Sequence, residues 1–354
     1  MEMTLNQASL PFVVYGLGQA GQALVDAMLD SGMAVACILD RQKGGTHYRN
    51  VRVLTLDTFL AQENSGEYRC VVGLHNHYVD LQALFNELIS KGFHEVLSLV
   101  QFVRRFPIVQ FTSYWLDTAF DYSALTAKAA QFSKMLADGK SRALLATILD
   151  YRLHGEIAAC PHPSLYDEYT PEDLPRFADK LRLIDCGAHI GTSIEKFQAA
   201  GYEIEALAAF EPDPGNFGLL SQKSFGQAPT SLFPLGVWSS NVQLRFAAAG
   251  TMGSAIQSDG DTLIQCASID QTLRHFAPNL IKMDVEGAEM EALKGAERTL
   301  RQYQPNLCIS LYHRPEQLLD IPLYLDSLSL AYTYRLRVHE FNTFGVVLYC
   351  HRQT

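Results

Sequence analysis

Twice in this chain a short apolar run breaks off at a glycine-containing turn and gives way at once to an amphipathic helical pattern: "FVVYGLGQAGQAL" from Phe12 and "LRLIDCGAHIGTSIEKF" from Leu181. A strand that hands over to a helix within a few residues needs backbone conformations that glycine enters freely. Strands separated by helices pair in parallel, because two adjacent parallel strands cannot be joined by a tight turn. The same alternation continues after each opening. "AVACILD", "VRVLTL", "CVVGL" and "EVLSLV" follow the first, and "EALAAFEPD", "SLFPLGVW", "NLIKMD" and "NLCISLYH" follow the second. Runs this apolar belong in sheets covered by helices. The final pair, "YTYRLRV" and "VVLYC", is linked by a few residues around "EFNTFG" and predicts an antiparallel hairpin at the edge of the second sheet.

The expected fold class is therefore α/β, with two Rossmann-like doubly wound sheets joined by a helical connector. At 354 residues the chain exceeds what one core usually supports. The predicted division is 1–104 for the first sheet, 105–180 for the connector and 181–354 for the second sheet. Within the connector, Ala124 to Leu153 reads as helix and "PHPSLYDEYTPEDLP" as an ordered loop rich in turn formers.

Composition excludes several classes of function. A chain that is 48% hydrophobic and 19% charged is of the soluble globular kind. No apolar run reaches the roughly 20 residues of a membrane-spanning helix, and no basic-then-apolar leader opens the sequence, so a cytoplasmic protein without membrane insertion is expected. Net charge is −10 with no basic segment, which argues against a nucleic-acid partner. The seven cysteines show neither zinc-site nor disulfide-framework spacing. Oligomeric state is not readable at this level.

In the second half, "IDCGAHIG" sets Asp185, Gly187 and Gly191 between a strand and a helix. Backbone can approach a ligand closely there, and the helix offers free amides. Glu211, in "FEPDPGNF", follows about 20 residues later at the end of the next strand, where an acid can hold two ribose hydroxyls. "LIKMDVEGAEMEALKGA" then crowds Lys282, Asp284, Glu286 and Glu289 around the end of a buried strand. In order and spacing, "IDCGAHIG", "FEPDPGNF", "GVWS", "SIDQTL" and "LIKMDVEGAEMEALKGA" resemble the FkbM-type S-adenosylmethionine-dependent methyltransferases over about residues 165–350.

That resemblance implies a class I methyltransferase fold and transfer of a methyl group to a hydroxyl of a sugar, glycan or natural product. It implies that Asp185, Gly187, Ala188, His189 and Gly191 surround the methionine part of S-adenosylmethionine, and that Glu211 binds the ribose. Gly236, Val237 and Trp238, ending the third strand, are expected near the adenine. His189 stands where the family more usually has asparagine.

Methyl transfer to a hydroxyl needs an in-line acceptor oxygen and a group to take its proton. Ligands sit at the carboxyl ends of strands in such sheets, which brings forward Asp284 and, from the adjacent strand, His313. Either could be the catalytic base. Glu286 and Glu289 fall in the first turn of a helix, where acids cap free amides and favour the macrodipole. Alternatively, Asp284 and Glu286 could share a divalent cation, magnesium or calcium by the chemistry of their oxygens. Lys282 could neutralise one of the acids.

In the first half, Gly16, Gly18 and Gly21 have the dinucleotide-fingerprint spacing, and Asp40 ends the next strand. This unit also resembles the N-terminal nucleotide-binding domain of sugar O-acyltransferases, which implies a nucleotide or nucleotide-sugar. An NAD-dependent oxidoreductase using this turn, or a non-catalytic protein sensing nucleotides, are the rival readings. "HNH" at His75 to His77 reads as a polar loop ahead of a metal site, and Tyr166 and Tyr169 as either a lid over the second sheet or packing at its edge.

Overall fold

The computed structural model describes residues 10–108, 110–247, 255–256 and 262–353. The chain divides into two compact units. One comprises 1–122, 146–162 and 340–344, the other 123–145, 163–339 and 345–354. Residues 105–180 thus contribute to both.

The first unit holds a six-stranded sheet of β1 (Phe12–Tyr15), β2 (Val35–Leu39), β3 (Thr46–Tyr48), β4 (Val51–Leu54), β5 (Arg69–Val72) and β6 (Glu95–Ser98), in the order β3-β4-β2-β1-β5-β6. Every pairing is parallel except β3 with β4. The strand β3 lies in "THY", which carries too little apolar residue to be seen in the sequence. Helix Gln19–Asp30 buries Leu24, Val25 and Met28, which recur at helical spacing.

The second unit is built on seven strands: β7 (Lys180–Cys186), β8 (Glu203–Phe210), β9 (Thr230–Phe233), β10 (Leu280–Met283), β11 (Asn306–Ser310), β12 (Tyr332–Val338) and β13 (Val346–Arg352). Their order is β9-β8-β7-β10-β11-β13-β12, with β13 antiparallel to both neighbours and the rest parallel. Strand order therefore reverses between β7 and β10. That reversal opens a crevice at the carboxyl ends of these two strands, the place where ligands bind in open α/β sheets. Leu181, Leu183, Ile194, Phe197 and Leu207 are among the residues packing its core.

One expectation is corrected here. "SLFPLGVW" is not a single third strand: β9 stops at Phe233, and Gly236–Val237 pairs with Cys266–Ala267 in a separate four-stranded sheet. Pro234 has no N–H to donate, so the ladder cannot run through it. The other strands of that small sheet, Val242–Ala247, Ala255–Ile256 and Thr262–Ala267, were not anticipated. They lie beyond the β8–β9 alternation on which the reading of parallel strands rested.

Candidate functional site

The glycine turn after β7 is forced by its neighbours. Gly187 has φ +76°, and a Cβ there would sit 1.8 Å from the carbonyl oxygen of Asp284. Only glycine lets β7 and β10 close together at this point. Gly191, with φ +90°, lies under Phe225 in the same way. His189 adopts φ +50°, a left-handed conformation that asparagine and histidine enter more readily than most residues. The amides of Gly187 and Ala188 donate to Phe210 O at 3.0 and 2.9 Å, tying the turn to the end of β8.

Beneath the turn, Asp185 is fully buried and its Oδ1 lies 3.1 Å from Lys282 Nζ. Lys282 also donates to Gly187 O at 2.6 Å, and Ser193 donates to the other oxygen of Asp185. Lys282 therefore neutralises Asp185, and the pair staples β7, β10 and the turn from below. Burial by itself would strip the ammonium of its proton, but Asp185 and then Asp284 hold it there, well above the usual lysine range.

Glu211 is buried at the end of β8. One oxygen accepts from His189 N at 2.7 Å and the other from Asp213 N at 2.9 Å. Each oxygen keeps a further lone pair. Burial raises its pKa above the ordinary carboxylate value, against the pull of these two amides. Asp213 in turn caps the helix Pro214–Leu220, accepting from Gly215 N and Asn216 N.

At the end of β10, Asp284 accepts from Tyr169 Oη at 3.0 Å and from Tyr312 Oη at 3.4 Å. Its Oδ1 is 3.3 Å from His313 Nε2. Burial would raise its pKa, but Lys282, His313 and Tyr169 outweigh that and hold it ionised. His313 is 2.8 Å from Glu289 through Nδ1 and 3.5 Å from Glu286 through Nε2. Against burial, which favours the neutral ring, Glu289 and Glu286 raise its pKa to about 10. Glu286, with φ +52°, has its own pKa raised to about 8, chiefly by burial. Glu289 is fully buried, accepts from Val285 N at 2.9 Å and Gly287 N at 3.4 Å, and takes Gln317 Nε2 at 2.6 Å.

These contacts sort the sequence expectations. Asp284, His313, Gly187, His189 and Glu211 lie at neighbouring strand ends, Gly187 against Asp284, His189 bonded to Glu211 and His313 beside Asp284. Glu289 opens the helix Glu289–Lys294, but its carboxylate reaches back to the amides of Val285 and Gly287 in the turn before that helix, where Glu286 also lies, and it also holds His313. Glu289 and Glu286 thus favour the protonated ring of His313. The donors that could surround a cation are Asp284, Glu289 and His313, within 4.8 Å of one another, and Glu286 is outside that set. Glu289 is already spent on backbone amides and Gln317, while His313 supplies a positive charge at the centre.

Trp238 donates its amide to Ala267 O at 3.0 Å and packs with Ile264 and Cys266 of the small sheet. Tyr169 was read only as lid or packing. It is buried with φ +68°, its amide donates to Tyr349 Oη at 2.9 Å, and its hydroxyl reaches Asp284. Tyr166, by contrast, is 95% exposed.

In the first unit, Gly21 packs so closely that a Cβ would fall 2.1 Å from Gly16 O, and Gly16 has φ +97°. Nothing lies within 4 Å of a Cβ placed on Gly18. Asp40 accepts from Leu17 N, Gln42 N and Lys43 N, each at 2.9 Å. Asp40 thereby closes the turn. His75 is half-buried against Trp115 and Phe344, bonds Ser113 O at 3.0 Å, and is pushed by desolvation down to about 4. It is a neutral core histidine. His77 lies 3.9 Å from Glu340, and among the described residues neither histidine belongs to a group able to hold a metal.

Residues 185–336 match the family model described as methyltransferase FkbM domain. This segment is an FkbM methyltransferase domain. It contains the turn, Glu211, Asp284 and His313 together. A curated relative, the hexuronic acid methyltransferase AglP of Haloferax volcanii, is 35% identical over 130 residues, 34% of this chain. The chain spans about half the length of that relative, 51%. The crystal structure of a methyltransferase FkbM from Methylobacillus flagellatus KT is similar at 25% identity with a TM-score of 0.78, covering 97% of this chain and 90% of the other. The likeness to that solved structure thus extends beyond the FkbM domain into the first unit. Among the described residues no helix is long and apolar enough to cross a membrane.

Proposed function

We propose that the chain is an S-adenosylmethionine-dependent O-methyltransferase acting on a hydroxyl of a sugar or glycan. The observation that carries this is the packing of Gly187 on the carbonyl of Asp284, which sets a glycine turn and an ionised acid into one crevice. The chemistry of the residues fits the cofactor. Glu211 presents one unused lone pair on each oxygen, a match for the two vicinal hydroxyls of a ribose. Asp185, Gly187, Ala188, His189 and Gly191 form the turn beside it. Gly236, Val237 and Trp238 would lie toward the base. The hexuronic acid named for the Haloferax relative favours a saccharide acceptor.

Bound in this crevice, S-adenosylmethionine supplies an electrophilic methyl carbon, which the acceptor oxygen takes as the carbon–sulfur bond breaks and the hydroxyl proton leaves. Asp284 receives that proton. Tyr169 and Tyr312 orient the carboxylate through their hydroxyls, and the His313 imidazolium holds it ionised. Glu289, buried behind the imidazolium, fixes the ring by its Nδ1. This reading does not call on NAD or a sensed nucleotide at the Gly16–Gly21 turn.

Calorimetric titration with S-adenosylmethionine, followed by methyl transfer from the labelled cofactor to a panel of hexuronates and neutral sugars, tests this reading. Saturable binding and label on a sugar oxygen are expected. Absence of cofactor binding would overturn it.

A further inference from the structure

The loop that delivers Tyr169 to Asp284 also encloses, with the helix Thr192–Ala199, a cavity of about 560 Å³. That is ample for a small ligand. Its walls carry the rings of Tyr166, Tyr169, Phe177 and Tyr202. Phe177 and Tyr202 stack with centroids 6.2 Å apart, while the ring of Tyr166 stands almost wholly in water. The exposed ring of Tyr166 offers an apolar face at the mouth of the cavity.

The charges on these walls are mixed, and both cations have partners in the protein. Lys196 Nζ is paired with Glu168 at 2.6 Å. Arg176 donates to Ala200 O and Gly201 O and lies 4.0 Å over the ring of Tyr202. Both cations are thus committed to the protein, whereas Glu172 projects an exposed carboxylate on the wall. Aromatic faces beside hydrogen-bond acceptors suit a ring whose C–H face is apolar and whose hydroxyls donate.

We propose that this cavity is a saccharide subsite, which takes a neutral sugar unit of the acceptor through stacking on Tyr166 and hydroxyl donation to Glu172. The inference rests on the proposed glycan acceptor and extends it. Tyr169 joins the two places, since its ring lines the cavity and its hydroxyl is bonded to Asp284. A sugar seated here would press on the residue that orients the acid.

The test is saturation-transfer NMR of the full chain with glucose, galactose, mannose, maltose and cellobiose, with calorimetry for S-adenosylmethionine run in parallel. Transfer to at least one neutral sugar is expected, weakened about ten-fold in apparent affinity by Tyr166→Ala, with cofactor binding unchanged. Glu172→Gln should weaken the same sugar, and glucuronate should bind less well than its neutral counterpart. No transfer to any of the sugars, or equal transfer in Tyr166→Ala, would overturn the subsite. Loss of cofactor binding in the unaltered protein would overturn the methyltransferase reading and leave the sugar result to stand alone.

Discussion

His313 Nδ1 lies 2.8 Å from a carboxylate oxygen of Glu289, and both side chains are buried. The contact turns a histidine that looks like a general base into a fixed cation. A neutral imidazole could accept a proton from the acceptor, whereas one protonated up to about pH 10 cannot at neutral pH. Its charge instead serves the carboxylates of Asp284 and Glu289, with the Glu286 carboxyl beside them.

Removing that charge should cost stability. In His313→Gln the buried Glu289 faces Asp284 and Glu286 without a cation, and breaking a buried pair from one side costs about 3–5 kcal/mol. The pH dependence carries a sign. The folded pKa of about 10 exceeds the ordinary histidine value of about 6.5, so the stability His313 contributes is fully present below about pH 6.5 and is lost as pH rises toward 10. Urea unfolding of the unaltered protein should show a decline across that window, and His313→Gln should lack its upper part, above pH 8. An unchanged slope would mean that the imidazolium assignment is wrong.

Glu286 should set a pH limb of the reaction. Its pKa of about 8 means that a neutral carboxyl ionises beside Asp284 as the solution becomes alkaline, which strengthens Asp284 as a proton acceptor. The rate should rise through about pH 8, and Glu286→Gln should flatten that rise while leaving cofactor affinity as it was. The measurement is kcat against pH, from 6 to 9.5, at saturating cofactor.

How much of this could be read from the sequence divides by range. The strands from β1 to β13 were legible, β3 and the small sheet apart, because buried strands are written as uninterrupted apolar runs. Glu211 and Asp284 were legible because each ends such a run. Tyr169 was not, since its hydrogen bond to Asp284 spans 115 residues and depends on a loop with no periodicity. Nor was the charge of His313, which is decided by which acids turn toward it. Glu286 and Glu289 are adjacent to the motif in the sequence, but a first-turn acid in a helix looks the same whether it faces water or a histidine. The burial of Glu211 was not legible either, since it depends on the two backbone amides that bind it.

That burial changes what a substitution at Glu211 should do. Glu211→Ala leaves the amides of His189 and Asp213 without their acceptor, at about 1–3 kcal/mol for each buried group left unpaired. Affinity for S-adenosylmethionine should be lost together with part of the stability. Glu211→Gln keeps the shape but places an NH₂ against one of the two amides, so it should lose affinity with a smaller drop in melting temperature. Calorimetry and thermal unfolding of both variants, side by side, check this. Normal affinity in Glu211→Ala would move the ribose elsewhere.

Asp284 and Tyr169 should separate as acceptor and positioner of the proton. Asp284→Asn removes the acceptor, and the rate of transfer should fall by about 10²–10⁴, the usual worth of a positioned base, with cofactor affinity retained. Tyr169→Phe removes only a donor to the ionised carboxylate. Since Tyr169 helps to hold that carboxylate below its ordinary pKa, its loss should shift the acidic limb of the pH–rate profile upward and lower kcat more than it raises KM. A purely structural tyrosine would reduce the amount of folded protein without moving the limb. The pH profile of Tyr169→Phe, taken at equal concentrations of folded enzyme, therefore distinguishes a residue that orients the acid from one that only fills the space behind it.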